Sequence, residues 1–143
     1  GWTFIMNNQI LLVEDNPDDI KLTIRAFNKY EKLNGYNIHI AKDGKEAIDY
    51  LKKEENDNPY FILLDLNLPV IDGFEVIKFI RNHESTKLIP VIILTSSTEK
   101  KDLKRIYDLG ANSYIQKPVD YNIFIDVIKK ISSYWLHLNE NPS

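Results

Sequence analysis

Glu14 and Asp15 follow the apolar run Ile10-Leu11-Leu12-Val13. Asp65 follows Phe61-Ile62-Leu63-Leu64, Thr95 follows Val91-Ile92-Ile93-Leu94, and Lys117-Pro118 follows Ser113-Tyr114-Ile115-Gln116. Runs of this kind belong in a buried sheet, so their polar ends mark a site along one sheet edge. Two carboxylates about 4 Å apart repel by ~4 kcal/mol at an effective dielectric of 20, so the three acids call for a cation. Carboxylate oxygens without His or Cys suit Mg²⁺ better than Zn²⁺. Lys117 and Thr95 supply donors that would stabilise the equatorial oxygens of a phosphoryl group. A carboxylate can also attack phosphorus and form an acyl phosphate. Asp65 is the candidate nucleophile, between the acid pair on one side and Thr95 and Lys117 on the other.

Singly, each residue has an ordinary explanation. An Asp after a strand forms turns or caps helices. Glu14-Asp15 could cap the next helix, Thr95 could end a strand, and Lys117 could be solvated. It is the joint pattern that these explanations fail to cover.

The elements that must position these groups alternate along the chain. Strands are expected at 9–14, 36–41, 60–65, 90–95 and 113–116. Their continuous apolar character fits strands covered on both faces, as in a parallel sheet. Asn16-Pro17 places Pro at a first helical position, with Asp18 and Asp19 in the positive first turn. Ile20, Ile24, Phe27 and Tyr30 then share a face. Asp43-x-x-Glu46 and Asp72-x-x-Glu75 have the spacing of a loose capping box. Ala47, Ile48 and Leu51 follow the first, and Phe74, Ile77 and Ile80 the second. Leu103, Ile106 and Tyr107 mark a fourth helix, closed by Gly110 as a left-handed cap. Asp120 opens a fifth, with Phe124, Val127, Ile128, Ile131, Trp135 and Leu138 on its inner stripe. Five such units predict an α/β fold, a doubly wound five-stranded parallel sheet with helices on both faces. Sites in such sheets lie beyond the carboxyl ends of the strands, and all four polar ends are carboxyl ends.

The 143 residues fit one domain large enough to bury a core. Absence of cysteine excludes disulfides, thiol nucleophiles and Cys-ligated zinc, and suits a reducing, cytoplasmic setting. A net charge of −3 without a basic block argues against direct nucleic-acid binding. No run reaches the ~18 to 20 apolar residues of a membrane span. Residues 1–5 read as a cloning remnant or upstream-start artefact before Met6, the domain as 9–138, and 139–143 as a tail that frays. His39, His83 and His137 have no partner at metal-ligand spacing, and surface or edge roles suffice for them.

Taken in order and spacing, Leu-Val-Glu-Asp-Asn (12–16), Leu-Leu-Asp-Leu-Asn-Leu-Pro-Val-Ile-Asp-Gly (63–73), Ile-Leu-Thr-Ser (93–96) and Tyr-Ile-Gln-Lys-Pro (114–118) resemble a two-component response regulator receiver domain. The resemblance implies flavodoxin-like receiver topology with strand order 2-1-3-4-5. It makes Asp65 the phosphoacceptor for a histidine kinase phosphohistidine. Mg²⁺ would be held by Asp15, Asp65 and the Asn67 backbone carbonyl, and by Glu14 through a water. Thr95 and Lys117 would contact the phosphoryl group, Tyr114 would be the switch aromatic beside Thr95, and Lys117-Pro118 a cis peptide. Leu-Val-Glu-Asp-Asn-Pro-Asp-Asp (12–19) and Tyr-Trp-Leu (134–136) are further similar to single-domain regulators paired with phytochrome-type histidine kinases. Their homodimer face is made by the fourth helix, fifth strand and fifth helix, where Tyr134 and Trp135 could contribute.

The implied function is a phosphorylation switch, not a turnover enzyme. Its output is partner binding, dimerisation or onward phosphotransfer through that face. The alternative is a Mg²⁺-dependent phosphatase of the haloacid dehalogenase type. That chemistry wants a second Asp two residues after the nucleophile, where Asn67 stands. A nucleotide- or flavin-binding module would want a Gly-rich loop after the first strand. Glu14-Asp15-Asn16-Pro17 is acidic and lacks glycine.

Overall fold

A computed structural model describes residues 9–29, 35–53, 58–117, 122, 125–127 and 129–130. The elements run β1 (Gln9–Val13), α1 (Pro17–Lys29), β2 (Asn37–Ala41), α2 (Gly44–Lys52), β3 (Ile62–Asp65), α3 (Gly73–Asn82), β4 (Val91–Thr95), α4 (Lys100–Asp108) and β5 (Ser113–Gln116). Residues 122, 125–127 and 129–130 are helical, in the expected fifth helix. Residues 1–8 and 139–143, Tyr30, Pro118, Asp120, Phe124, Ile128, Ile131, Tyr134, Trp135, His137 and Leu138 lie outside the described residues.

All strand pairs are parallel, in the order β2-β1-β3-β4-β5. Successive strand residues point to opposite faces, and the apolar runs divide accordingly. Ile10, Leu12, Leu63, Ile92 and Leu94 pack with Ile20, Ala26 and Phe27 of α1, and with Ile125 and Val127. Leu11, Val13, Ile62, Leu64, Val91 and Ile93 pack with Ala47 and Leu51 of α2, Val76, Ile77 and Ile80 of α3, and Ile106 of α4. Both faces of the central strands β1, β3 and β4 are therefore covered, which is why they carry no apolar-polar alternation, whereas the edge strand β2 alternates.

Local signals act where expected. The Asn16 side chain accepts from the backbone N–H of Asp18 at 2.8 Å and of Asp19 at 3.2 Å. Asp43 accepts from Glu46 N at 2.7 Å and Asp72 from Glu75 N at 3.0 Å. In the first box the Glu46 carboxylate reaches back to Lys42 N at 3.2 Å, one residue before the cap. Gly110 has φ +104, the left-handed conformation that closes α4.

Differences are small and have physical causes. β1 ends at Val13, although Glu14 N still donates to Ala41 O at 2.9 Å, and β3 begins at Ile62. On α1, Thr23 and Ala26 are buried while Ile24 is half-buried. Thr23 can be buried because its hydroxyl donates to Asp19 O at 2.8 Å. Tyr107 is 49% exposed, so on α4 only Ile106 is buried. His39 stacks on Tyr50 with ring centroids 4.1 Å apart, and His83 Nδ1 lies 2.8 Å from Phe79 O.

Candidate functional site

The strand order creates the site. β1 and β3 are neighbours, but the chain reaches β3 only after crossing to β2 on the far side. Helices leave β1 and β3 toward opposite faces, and a crevice opens at this switch point. Val13 pairs in register with Leu64, so Glu14 and Asp65 come next, side by side. One carboxylate oxygen from each of Glu14, Asp15 and Asp65 lies within 4.8 Å of the others.

Glu14 and Asp65 are buried, and Asp15 is exposed. Such a trio fits a hard divalent cation that keeps some of its waters: two acids form the floor and one faces solvent. The β3–α3 connection shapes the same floor. Asn67 N donates to Asp65 Oδ1 at 3.2 Å. Gly73 N donates to Leu66 O at 3.0 Å, and a Cβ on Gly73 would stand 2.6 Å from Asp65 O. Only glycine lets α3 start this close to the strand end. Val70 takes φ 69 in this loop, with Ile71 N bonded to Pro69 O at 2.8 Å. That is a tight three-residue turn, strained for a β-branched side chain.

Lys117 follows β5, and its N–H donates to Thr95 O at 2.6 Å. Its ammonium reaches across the sheet edge to Glu14 Oε1 at 2.5 Å, Asp19 Oδ2 at 3.0 Å and Asp65 Oδ2 at 3.5 Å. Burial pushes the Glu14 carboxyl up to about 7. The Lys117 hydrogen bond pulls it down and the Asp65 charge pushes it further up. Burial draws Lys117 down, but its bonds to Glu14 and Asp19 and the charges of Asp65 and Glu14 outweigh that. The ammonium is held above its ordinary value.

Thr95 ends β4 fully buried, and its hydroxyl oxygen accepts from Ser97 N at 3.0 Å. Tyr114 is half-buried on β5 opposite Ile93, two residues before Thr95, with its ring edge-on to Tyr107 at 6.0 Å. Glu14, Asp15, Asp65 and Lys117 are thus brought together, with Thr95 on the adjoining strand. Sequence reasoning missed Asp19 as part of this constellation, having assigned it only to the helix dipole. The signal was its place in the first turn of the helix that leaves the Glu14-Asp15 strand end.

The response regulator receiver domain family matches residues 10–129, and the chain belongs to that family. It is 41% identical over 136 residues to the probable methanogenesis regulatory protein FilR2 of Methanothrix harundinacea (strain 6Ac), covering 93% of this chain and 86% of that protein. It is also similar to the phosphorylated cyanobacterial phytochrome response regulator RcpA, at 37% identity and TM-score 0.81, covering 94% of this chain and 98% of that one. The Mn²⁺-bound form of response regulator Rcp1 matches at 34% identity and TM-score 0.77, covering 90% and 94%. The fold is the receiver fold expected from the motifs. Membership decides between the two phosphoryl chemistries in favour of the response regulator over the haloacid-dehalogenase-type phosphatase. Among the described residues no helix is long and apolar enough to cross a membrane.

Proposed function

We propose that residues 9–138 form a receiver that takes a phosphoryl group onto Asp65 from the phosphohistidine of a sensor histidine kinase, of the phytochrome type. The observation that carries this is the convergence on Asp65 of two further carboxylates and the Lys117 ammonium at 3.5 Å. In the transfer an Asp65 carboxylate oxygen forms a bond to phosphorus while the phosphorus–nitrogen bond breaks, and imidazole leaves. Asp15, Asp65 and the Asn67 backbone carbonyl would hold Mg²⁺, with Glu14 acting through a water. Bound there, Mg²⁺ supplies positive charge against the charge spread over the phosphoryl oxygens.

Lys117 donates to one of those oxygens and the Thr95 hydroxyl to another. Thr95 meets the phosphoryl group at the cost of its present geometry with Ser97 N, and Tyr114 turns inward behind it. The acyl phosphate adds roughly −1.5 to −2 charges if it ionises as phosphomonoesters do. That charge biases a two-state equilibrium and does not create a new fold. The readout is the face of α4, β5 and the fifth helix, where a partner or a second copy docks. The protein acts as a cytoplasmic signalling switch, without membrane or direct nucleic-acid contact, and not as a turnover enzyme.

Asp65→Asn is the direct test. With Mg²⁺ and acetyl phosphate, the unsubstituted chain should gain one phosphoryl group by intact mass and Asp65→Asn none. Equal labelling of both would remove Asp65 from its role.

A further inference from the structure

Lys117 has three N–H donors; Glu14 and Asp19 each accept one, and Asp65 stands at ion-pair distance, 3.5 Å. We propose that Asp19 is a positioning residue that holds Lys117 back from Asp65, so that the phosphoryl group must draw the lysine out of this pairing. The inference rests on the phosphoacceptor reading of Asp65 and adds a residue that sets how readily that site fills.

The distances rank the competitors. Lys117 Nζ is 2.5 Å from Glu14, 3.0 Å from Asp19 and 3.5 Å from Asp65. The nucleophile therefore has the weakest hold on the ammonium that must serve its phosphoryl oxygens. Moving the ammonium toward them lengthens one of the two shorter contacts. Glu14 is the poorer one to release, because its contact is the shorter and its side chain is wholly buried. The Asp19 side chain is 34% exposed, so water can replace the lysine there. Asp19 is the contact that yields.

The backbone around Asp19 is fixed, which makes it a defined anchor. Its N–H donates to Asn16 Oδ1 at 3.2 Å, and its carbonyl accepts from the Thr23 hydroxyl at 2.8 Å. A favourable charge at the helix N-terminus does not explain the residue, because Asp18 supplies one in the same turn. Asp18 is exposed, and no contact with Lys117 is among its hydrogen bonds or ion pairs. It provides the matched control: the same charge, one residue away.

The test is the affinity for magnesium beryllofluoride, a phosphoryl mimic that binds without turnover. It is measured on the full chain, on Asp19→Asn and on Asp18→Asn, with thermal unfolding followed for each. Asp19→Asn should bind roughly two- to fivefold more tightly, the scale of one partly exposed ion pair. Asp18→Asn should stay close to the unsubstituted chain. Asp19→Ser repeats the test with a second uncharged side chain. Equal tightening by the Asp18 and Asp19 variants overturns the inference, because the field of one lost charge then suffices. Unchanged or weaker binding by the Asp19 variants also overturns it, since the acid would then be neutral or would present the lysine. No beryllofluoride uptake by the unsubstituted chain overturns the phosphoacceptor reading itself, and the inference falls with it.

Discussion

α3 and α4 leave neighbouring strands and are nearly equal in length, at 10 and 9 residues, yet they are held very differently. α3 buries Gly73, Val76, Ile77 and Ile80, and the Asp72 side chain caps its first turn. α4 buries Ile106 alone, and its Glu99 cap residue makes no side-chain hydrogen bond. Leu103 packs partly buried against the core and Tyr107 lies edge-on to Tyr114, and the other ties are polar. Ser97 Oγ accepts from Glu99 N at 3.2 Å and donates to Asp102 Oδ2 at 2.6 Å, and the Arg105 guanidinium lies 3.9 Å from the Phe74 ring centre. The difference separates two tasks. In the proposed function the end of β3, which carries Asp65, would have to hold its geometry, and its helix is locked by core contacts and by Gly73. The end of β4, which carries Thr95, would in the same function answer a new charge, and its helix has less apolar burial to lose than α3.

The contrast is most open to attack in the core. Ile77→Ala should cost about 4 kcal/mol in denaturant unfolding, whereas Ile106→Ala should cost about 2 kcal/mol because the loosely held α4 can open and repack around the gap. Faster hydrogen exchange should follow Ile106→Ala in α4 only. Equal costs, with exchange spread over the whole chain, would erase the distinction between the helices.

The fixed side of the site also carries an electrostatic load, which titration measures. Without divalent cations the folded chain keeps a proton on Glu14 up to about 7, while the unfolded chain releases it near 4.5. The folded state binds more protons between these values. Stability should therefore fall as pH rises through that window, on the order of 3 kcal/mol in total. Glu14→Gln should flatten this slope in chelator-treated protein. A slope that survives the substitution would place the load on another group.

The smallest effect concerns the caps. Asp72→Ala should cost about 1 kcal/mol, because Glu75 N loses its acceptor. Glu99→Ala should change stability by less than ~0.5 kcal/mol, since no cap bond is lost. Comparable losses would mean that α4 is capped as firmly as α3.

Much of this was legible along the chain. Asn16, Asp43, Asp72 and Gly110 act within a few residues of themselves, so local hydrogen-bond geometry makes them readable. The strand ends with Glu14, Asp65, Thr95 and Lys117 were readable because a doubly wound sheet sends every strand's carboxyl end to one edge. The weak hold on α4 was not. Leu103, Ile106 and Tyr107 have the spacing of an inner face, but the helix is set so that Tyr107 stays 49% exposed. Periodicity gives the direction of a face, not how deeply its neighbours cover it. Val70 was equally hidden, because its φ of 69 is imposed by the short path from Asp65 to the α3 cap and not by its own preference.

The sequence by itself determined the order of elements, the two apolar faces of the central strands and the residue types gathered at the sheet edge, since each depends on residue type and spacing over one element. Only the tertiary structure decided which carboxylates share Lys117. Asp19 and Lys117 are 98 positions apart and meet at 3.0 Å because α1 starts beyond the carboxyl end of β1 and the Lys117 side chain reaches across the sheet edge from the end of β5. Contacts across that separation follow from packing, for which no local pattern exists.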